Sequence, residues 1–321
     1  MDSSSTLEKS SQQLPVLISR EELTRRTADF FTKGIEGSEN TRKAYLSDIK
    51  QLEEWLRHRE LPSLPIEPAA LAAYISDLAA DRKWSTISRR LAAIRQWHRL
   101  HKHPNPAADE VVQIVMEGIK RTLGTEPEQC AAFDIEEYKA CLALIPATPT
   151  GLRDRALLLA GFAGGFRRSE LVALNIEGVK FTREGAVLTY RGSKTNQYKK
   201  IEEKALFFSP DPATCPVRAM QDYLEVLDRV AGPLFVRIRK NEQITEDRLS
   251  DKQVARTTKA YLGDNYSAHS LRASFVTIAK LNGADDSQIM QQTKHRTRTM
   301  IDRYTRVQQV VRHNAAMKLG L

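Results

Sequence analysis

Residues 186–203 read AVLTYRGSKTNQYKKIEE. The flanks are rich in β-branched and aromatic residues, and the polar run at 193–197 supplies a turn, so the stretch predicts a β-hairpin with Lys194 in or beside its turn. Helical patterns lie on both sides of it. Upstream, Asp154 is placed to cap a buried helix running through 156–163, which Gly164 and Gly165 end; the next helix begins near Ser169. Downstream, the pattern from Ser267 onward is helical again. The second half of the chain is therefore expected to be mixed but mainly α.

Farther upstream the hairpin signal disappears. The segment TRKAYLSDIKQLEEWL (41–56) sets Tyr45, Ile49, Leu52 and Leu56 at spacings of three and four, the period of an amphipathic helix. The same period links Leu71, Tyr74, Ile75 and Leu78, and then Ile87, Leu91, Ile94 and Trp97 in a helix whose start Ser85 and Thr86 mark. In that third helix Arg89, Arg90, Arg95 and Arg99 fall outside the apolar stripe, as a solvated basic face or a phosphate-tracking one would require. The prolines of HKHPNPAAD (101–109) end it, because proline lacks an amide donor, and a further helix runs from about Asp109 to Leu123. GTEPEQ (124–129) is polar, contains Gly and Pro, and separates the two periodic regions. The expected organisation is a polar tail at 1–20, an all-α domain at 21–123, a linker at 124–132, and a mainly α domain with a small antiparallel hairpin at 133–321.

A chain of 321 residues has room for two cores, since domains commonly run to roughly 100–200 residues. Its longest apolar stretch, 156–166, is far short of the roughly 20 residues that cross a bilayer. The start MDSSSTLEKSSQQ lacks the basic and apolar segments of a secretory signal, so a cytoplasmic location is expected. Cys130, Cys141 and Cys215 are scattered without a CxxC pair, which gives neither a disulfide framework nor a zinc site. The net charge of +9 favours a polyanionic partner, because cations on phosphates release condensed counterions; it also suits ribosomes and anionic membranes.

Four patterns of the second half carry chemistry: GFRRSEL (165–171), RGSKTN (191–196), HSLR (269–272) and KHRTRTMIDRY (294–304). Taken singly, each has an ordinary reading as surface arginines, a solvated turn lysine, a core histidine or a packed aromatic. His269 and Arg272 are three apart, so a helix presents them on one face. His295 and Tyr304 are nine apart, which an unbroken helix would place on opposite faces. Thr299 and Asp302 resemble a capping box that starts a new helix between them.

In this order and spacing the patterns resemble the catalytic signature of tyrosine site-specific recombinases of the phage-integrase type. That signature is an Arg with an acid three residues on, a hairpin Lys, an HxxR box, a second His, and a Tyr nine residues later. The first half is similar to the family's core-binding domain through TRKAYLSDIKQLEEWL, STISRRLAAIRQWHRL and the following NP. Lys294 stands where a Gly commonly precedes the second His, and Ala273 where a His often follows the HxxR Arg. A left-handed turn is costlier for Lys than for Gly.

The resemblance implies cleavage and rejoining of DNA through a 3′-phosphotyrosine on Tyr304. It implies that Arg167 and Arg272 steady the phosphate, His269 acts as base, Lys194 as general acid, and His295 as a hydrogen-bond donor to phosphate, with Glu170 orienting the site. It further implies DNA contacts from Arg42, Lys43, Arg89, Arg90 and Arg95 and a homotetramer on two duplex sites, with neither ATP nor metal as cofactor. The absence of a Walker A pattern and of a compact carboxylate cluster agrees with this. A non-catalytic architectural DNA-binding protein, a metal-dependent nuclease and a type IB topoisomerase are the competing readings.

Overall fold

The helical spacings upstream of the hairpin become four α-helices: α1 (Glu39–Arg57), α2 (Pro68–Ala79), α3 (Trp84–Leu100) and α4 (Glu110–Leu123). The structure, a computed structural model, describes residues 39–126, 130–191, 201–295, 297–299 and 301. The chain divides into two compact units between residues 127 and 128.

In the first unit α1 packs on α3 and α2 on α4, and Leu52, Leu56, Leu71, Ile75, Ile87, Leu91 and Ile94 form the buried core. The last helix starts where expected, with the Asp109 carboxylate accepting from the Val111 amide at 2.9 Å. Ser85 and Thr86 fall inside the first turn of α3 rather than before it. His98 is fully buried and joins two elements: its Nε2 accepts from the Ile66 amide at 3.1 Å, and its Nδ1 lies 3.0 Å from the Ile94 carbonyl.

The basic face of α3 is smaller than the sequence suggested. Arg89, Arg95 and Arg99 are exposed, but Arg90 is 6% exposed and points into the core. Its guanidinium donates to the Tyr74 hydroxyl at 2.7 Å and to Gln51 Oε1 at 2.5 Å, and lies 3.7 Å from the buried Asp48. Arg89 pairs with the same carboxylate from outside. Burial raises the Asp48 carboxyl above its ordinary value, and the two arginines oppose that shift. Removing a partner from a buried ion pair is costly because it strands the other groups. Arg90→Ala is expected to destabilise the first unit by about 3 kcal/mol, whereas Arg95→Ala changes it by under about 0.5 kcal/mol, as read by urea denaturation.

The second unit builds α5 (Ile135–Ala143), α6 (Pro149–Ala163) and α7 (Arg168–Ala173) before the hairpin. Thr148 caps α6, its hydroxyl accepting from the Gly151 amide at 3.2 Å, with Pro149 opening the first turn. Asp154, expected as the cap, is instead buried inside the helix, 2.7 Å from the Arg153 guanidinium. The hairpin strands appear as β2 (Gly185–Arg191) and β3 (Ile201–Phe207), joined by β1 (Val179–Phe181) in an antiparallel sheet of order β1-β2-β3. Register sets Ala186 opposite Leu206, Leu188 opposite Lys204 and Tyr190 opposite Glu202. The turn, with Lys194, lies outside the described residues.

A second antiparallel pair, β4 (Val236–Ile238) with β5 (Ile244–Arg248), was not anticipated. Around these run α8 (Pro216–Leu227), α9 (Asp251–Leu262), α10 (Ala268–Leu281) and α11 (Asp286–Thr293). Helix α6 is buried along most of its length and packs against both α8 and α10, so it fixes the elements that carry the site.

Candidate active site

The site begins where α6 stops. The Gly165 amide donates to the Phe162 carbonyl at 3.0 Å and the Phe166 amide to the Gly161 carbonyl at 3.1 Å, the pair of bonds that closes a helix with a left-handed residue. Gly165 has φ +53°, and a Cβ there would meet Thr293 Cγ2 at 3.0 Å and Phe275 Cδ1 at 3.1 Å. Glycine relieves both constraints. The turn delivers Arg167 to the N-cap of α7, where its backbone amide donates to Glu170 Oε2 at 3.0 Å and its guanidinium pairs with Glu170 Oε1. Glu170 is fully buried. Burial acts to raise its carboxyl, but Lys204 and Arg167 outweigh that and hold it below the ordinary value.

Helix α10 brings the HxxR pair. Ser267 caps it, accepting from the His269 amide at 3.2 Å, so His269 lies exposed in the first turn. One turn on, Arg272 is 1% exposed and its Nη1 donates to the Gly165 carbonyl at 2.7 Å. The arginine of one motif is thus anchored on the glycine turn of another.

The second histidine follows α11. Lys294 caps that helix in the left-handed region at φ 57°, ψ 38°, so the lysine adopts the turn that a glycine would take without strain. His295 is 8% exposed, with Nδ1 2.9 Å from Thr293 Oγ1. The single proton of that hydroxyl is directed to the Ile289 carbonyl at 2.6 Å, so Nδ1 donates to Thr293 and the neutral ring carries its lone pair on Nε2. Burial pushes His295 down to about 3, and Arg272, Arg167, His269 and Lys204 all add to the shift. One imidazole therefore feels cations from α7, α10 and β3 together.

Of the expected site residues, Arg167, Glu170, His269, Arg272 and His295 are brought together. Lys194 and Tyr304 lie outside the described residues, as does Asp302 of the expected capping box. Arg42, Lys43, Arg89 and Arg95 are exposed on α1 and α3. Among the described residues no cluster of three or more His, Cys, Asp or Glu could hold a metal ion. Lys204 was missed. Its Nζ donates to Glu170 Oε2 and to the Gly165 carbonyl, both at 3.1 Å, and the β2–β3 alternation that buries Leu206 would have pointed to it.

Residues 131–310 match the model of the Phage integrase family, and residues 33–103 match that of the phage integrase N-terminal SAM-like domain. The chain belongs to the phage integrase family. It is a tyrosine recombinase, an enzyme that cleaves and rejoins strands of DNA. An integrase/recombinase XerD homolog of Selenomonas ruminantium is 34% identical over 292 residues, covering 88% of this chain and 86% of that protein. Tyrosine recombinase XerC of Syntrophus aciditrophicus is 28% identical over 299 residues, covering 84% and 88%. Among solved structures, the XerH site-specific recombinase bound to a palindromic difH substrate superposes with a TM-score of 0.62 at 15% identity, over 86% of this chain and 80% of that one. A lambda integrase dimer bound to a COC′ core site gives 0.57 at 16% identity, over 89% and 77%. These two likenesses concern the fold.

Two measurements test the local geometry. Lys294→Gly removes a left-handed lysine and is expected to stabilise the second unit by about 1 kcal/mol in thermal melts. His295 holds its proton more weakly when folded than the roughly 6.5 of an unfolded histidine, so between about 6.5 and 3 the unfolded chain binds more protons. Stability is therefore expected to fall on acidification through that window, with a shallower fall in His295→Gln, as followed by melting temperature against pH.

Proposed function

We propose that this recombinase attacks the scissile phosphodiester with Tyr304 while Arg167 and Arg272 hold the non-bridging oxygens. The convergence of Arg167, His269, Arg272 and Lys204 on His295 carries the reading, because it marks a locus of positive potential suited to a phosphate. Guanidinium forks offer planar, permanently charged donors to the charge that builds there during displacement.

In the step, the Tyr304 oxygen bonds to phosphorus and the bond to the 5′ oxygen breaks. A free phenol is only about 0.1% ionised near neutrality, so the proton passes to His269, which stands exposed at the start of α10. Lys194 gives a proton to the departing oxygen. His295 is neutral before DNA arrives; the phosphate anion offsets its burial, and the protonated ring donates from Nε2. The phosphotyrosine conserves the bond energy, so rejoining by the reverse step draws on neither ATP nor metal.

The domain at 21–123 grips the duplex with Arg42, Lys43, Arg89 and Arg95, while Arg90 keeps α3 in register from inside. The domain at 133–321 carries the chemistry. Active assemblies are homotetramers on two DNA sites in the cytoplasm, the partner being the recombination sites themselves. No helix among the described residues is long and apolar enough to cross a membrane.

A nicked suicide substrate carrying the cognate site, incubated in EDTA with wild type and with Tyr304→Phe, tests the reading on denaturing gels. A protein–DNA adduct is expected from wild type alone, and Arg272→Ala is expected to slow its formation by about 100- to 1,000-fold with a much smaller loss of binding. Retention of DNA with no adduct from wild type would instead favour an architectural role.

A further inference from the structure

Lys204 takes no part in the signature read from the sequence, and it occupies a position where lysine is expensive. It faces inward from β3 between Glu202 and Leu206, opposite Leu188, and is 2% exposed. An ammonium so far from water persists only when it is paired and hydrogen-bonded. Its two acceptors are Glu170 Oε2 and the Gly165 carbonyl, each at 3.1 Å, and the Phe166 ring lies 4.2 Å away.

Both acceptors also hold a catalytic arginine. Glu170 takes the backbone amide and guanidinium of Arg167, and the Gly165 carbonyl takes Nη1 of Arg272 at 2.7 Å. The lysine therefore sits at the junction of two otherwise separate anchors, one at each arginine. Removing it would leave the Glu170 carboxylate with its contacts to Arg167 but without its tie to β3, so the carboxylate and the guanidinium would be less firmly placed.

We propose that Lys204 is a positioning residue for strand cleavage, a buried ammonium that braces Arg167 and Arg272 through the acceptors it shares with them. The proposal rests on the assignment of those arginines to the scissile phosphate. The groups facing Lys204 are Glu170 and Arg167 at the start of α7, Arg272 on α10, Tyr190 on β2 and His295 beyond α11. Burial pushes Lys204 down to about 7, Glu170 opposing and the arginines adding to the shift. Its charge, and the brace with it, is thus present below that pH and lost as the pH rises through it.

The test uses the full-length protein and single-turnover adduct formation on the suicide substrate from pH 6 to 9, with DNA affinity and melting temperature measured in parallel. Lys204→Met is expected to slow adduct formation about 10- to 100-fold with affinity changed less than about threefold, because a small misplacement of positioned groups costs rate more than binding. Lys204→Arg keeps the charge and is expected to recover part of the rate and to remove the alkaline decline that wild type shows. Wild-type rate and pH profile in Lys204→Met would overturn the proposal. So would a Met variant that fails to fold together with an Arg variant whose pH profile matches wild type. Undiminished cleavage by Arg167→Ala and Arg272→Ala would instead refute the underlying site assignment, and the proposal would fall with it.

Discussion

One carbonyl oxygen, that of Gly165, receives two cationic donors, and the order of the site depends on it. Arg272 reaches it from α10 and Lys204 from β3. The oxygen lies just past the C-terminal end of α6, where unpaired carbonyls give the helix a partial negative charge, so cations are favoured there even before they find a specific acceptor. The oxygen points where it does because residue 165 is left-handed and has no Cβ to strike Thr293 and Phe275. Three elements distant in sequence are thereby referred to a single backbone atom, and the next residues of the chain place Arg167 beside them.

Glu170 completes the arrangement by setting the charge balance. It is the buried carboxylate that joins Arg167 to Lys204, and it stays ionised because two cations outweigh its loss of water. Without it, Arg167 and Lys204 would repel one another in a region of weak screening. His295 fits the same logic: burial first, and then the cations around it, disfavour the protonated imidazole.

Much of this is legible in the sequence. Helical spacing located α1 to α3, the prolines and the polar linker bracketed α4, β-branched and aromatic flanks around a polar turn located β2 and β3, and the glycines after 163 marked the end of α6. The lysine at 294 left the turn before His295 open in the sequence, and it adopts the left-handed conformation all the same. Arg90 was misplaced because residue type was weighed above position, and Lys204 was passed over. Arg90 lies three residues after Ile87 and four before Ile94, on the very stripe it was excluded from, and Lys204 shares the inward parity of Leu206. For Arg90 charge argued for the surface; the fold places it and Lys204 inside and supplies partners. Asp154 was preferred as a cap because it adjoins the apolar run, although Thr148 followed by Pro149 is the stronger start signal. What local pattern could not give is the convergence itself, since nothing in HSLR names Gly165 as its anchor.

The inward charge on β3 also bears on how the chain avoids folding wrongly. Among the described residues β3 is an edge of its sheet, flanked by the exposed apolar side chains of Ile201 and Phe207. A slip of one residue against β2 would turn Lys204 out to solvent and carry Glu203 and Ala205 into the interior, exchanging an ammonium paired with Glu170 for a carboxylate that would face it. The lysine thus serves as a key for strand alignment.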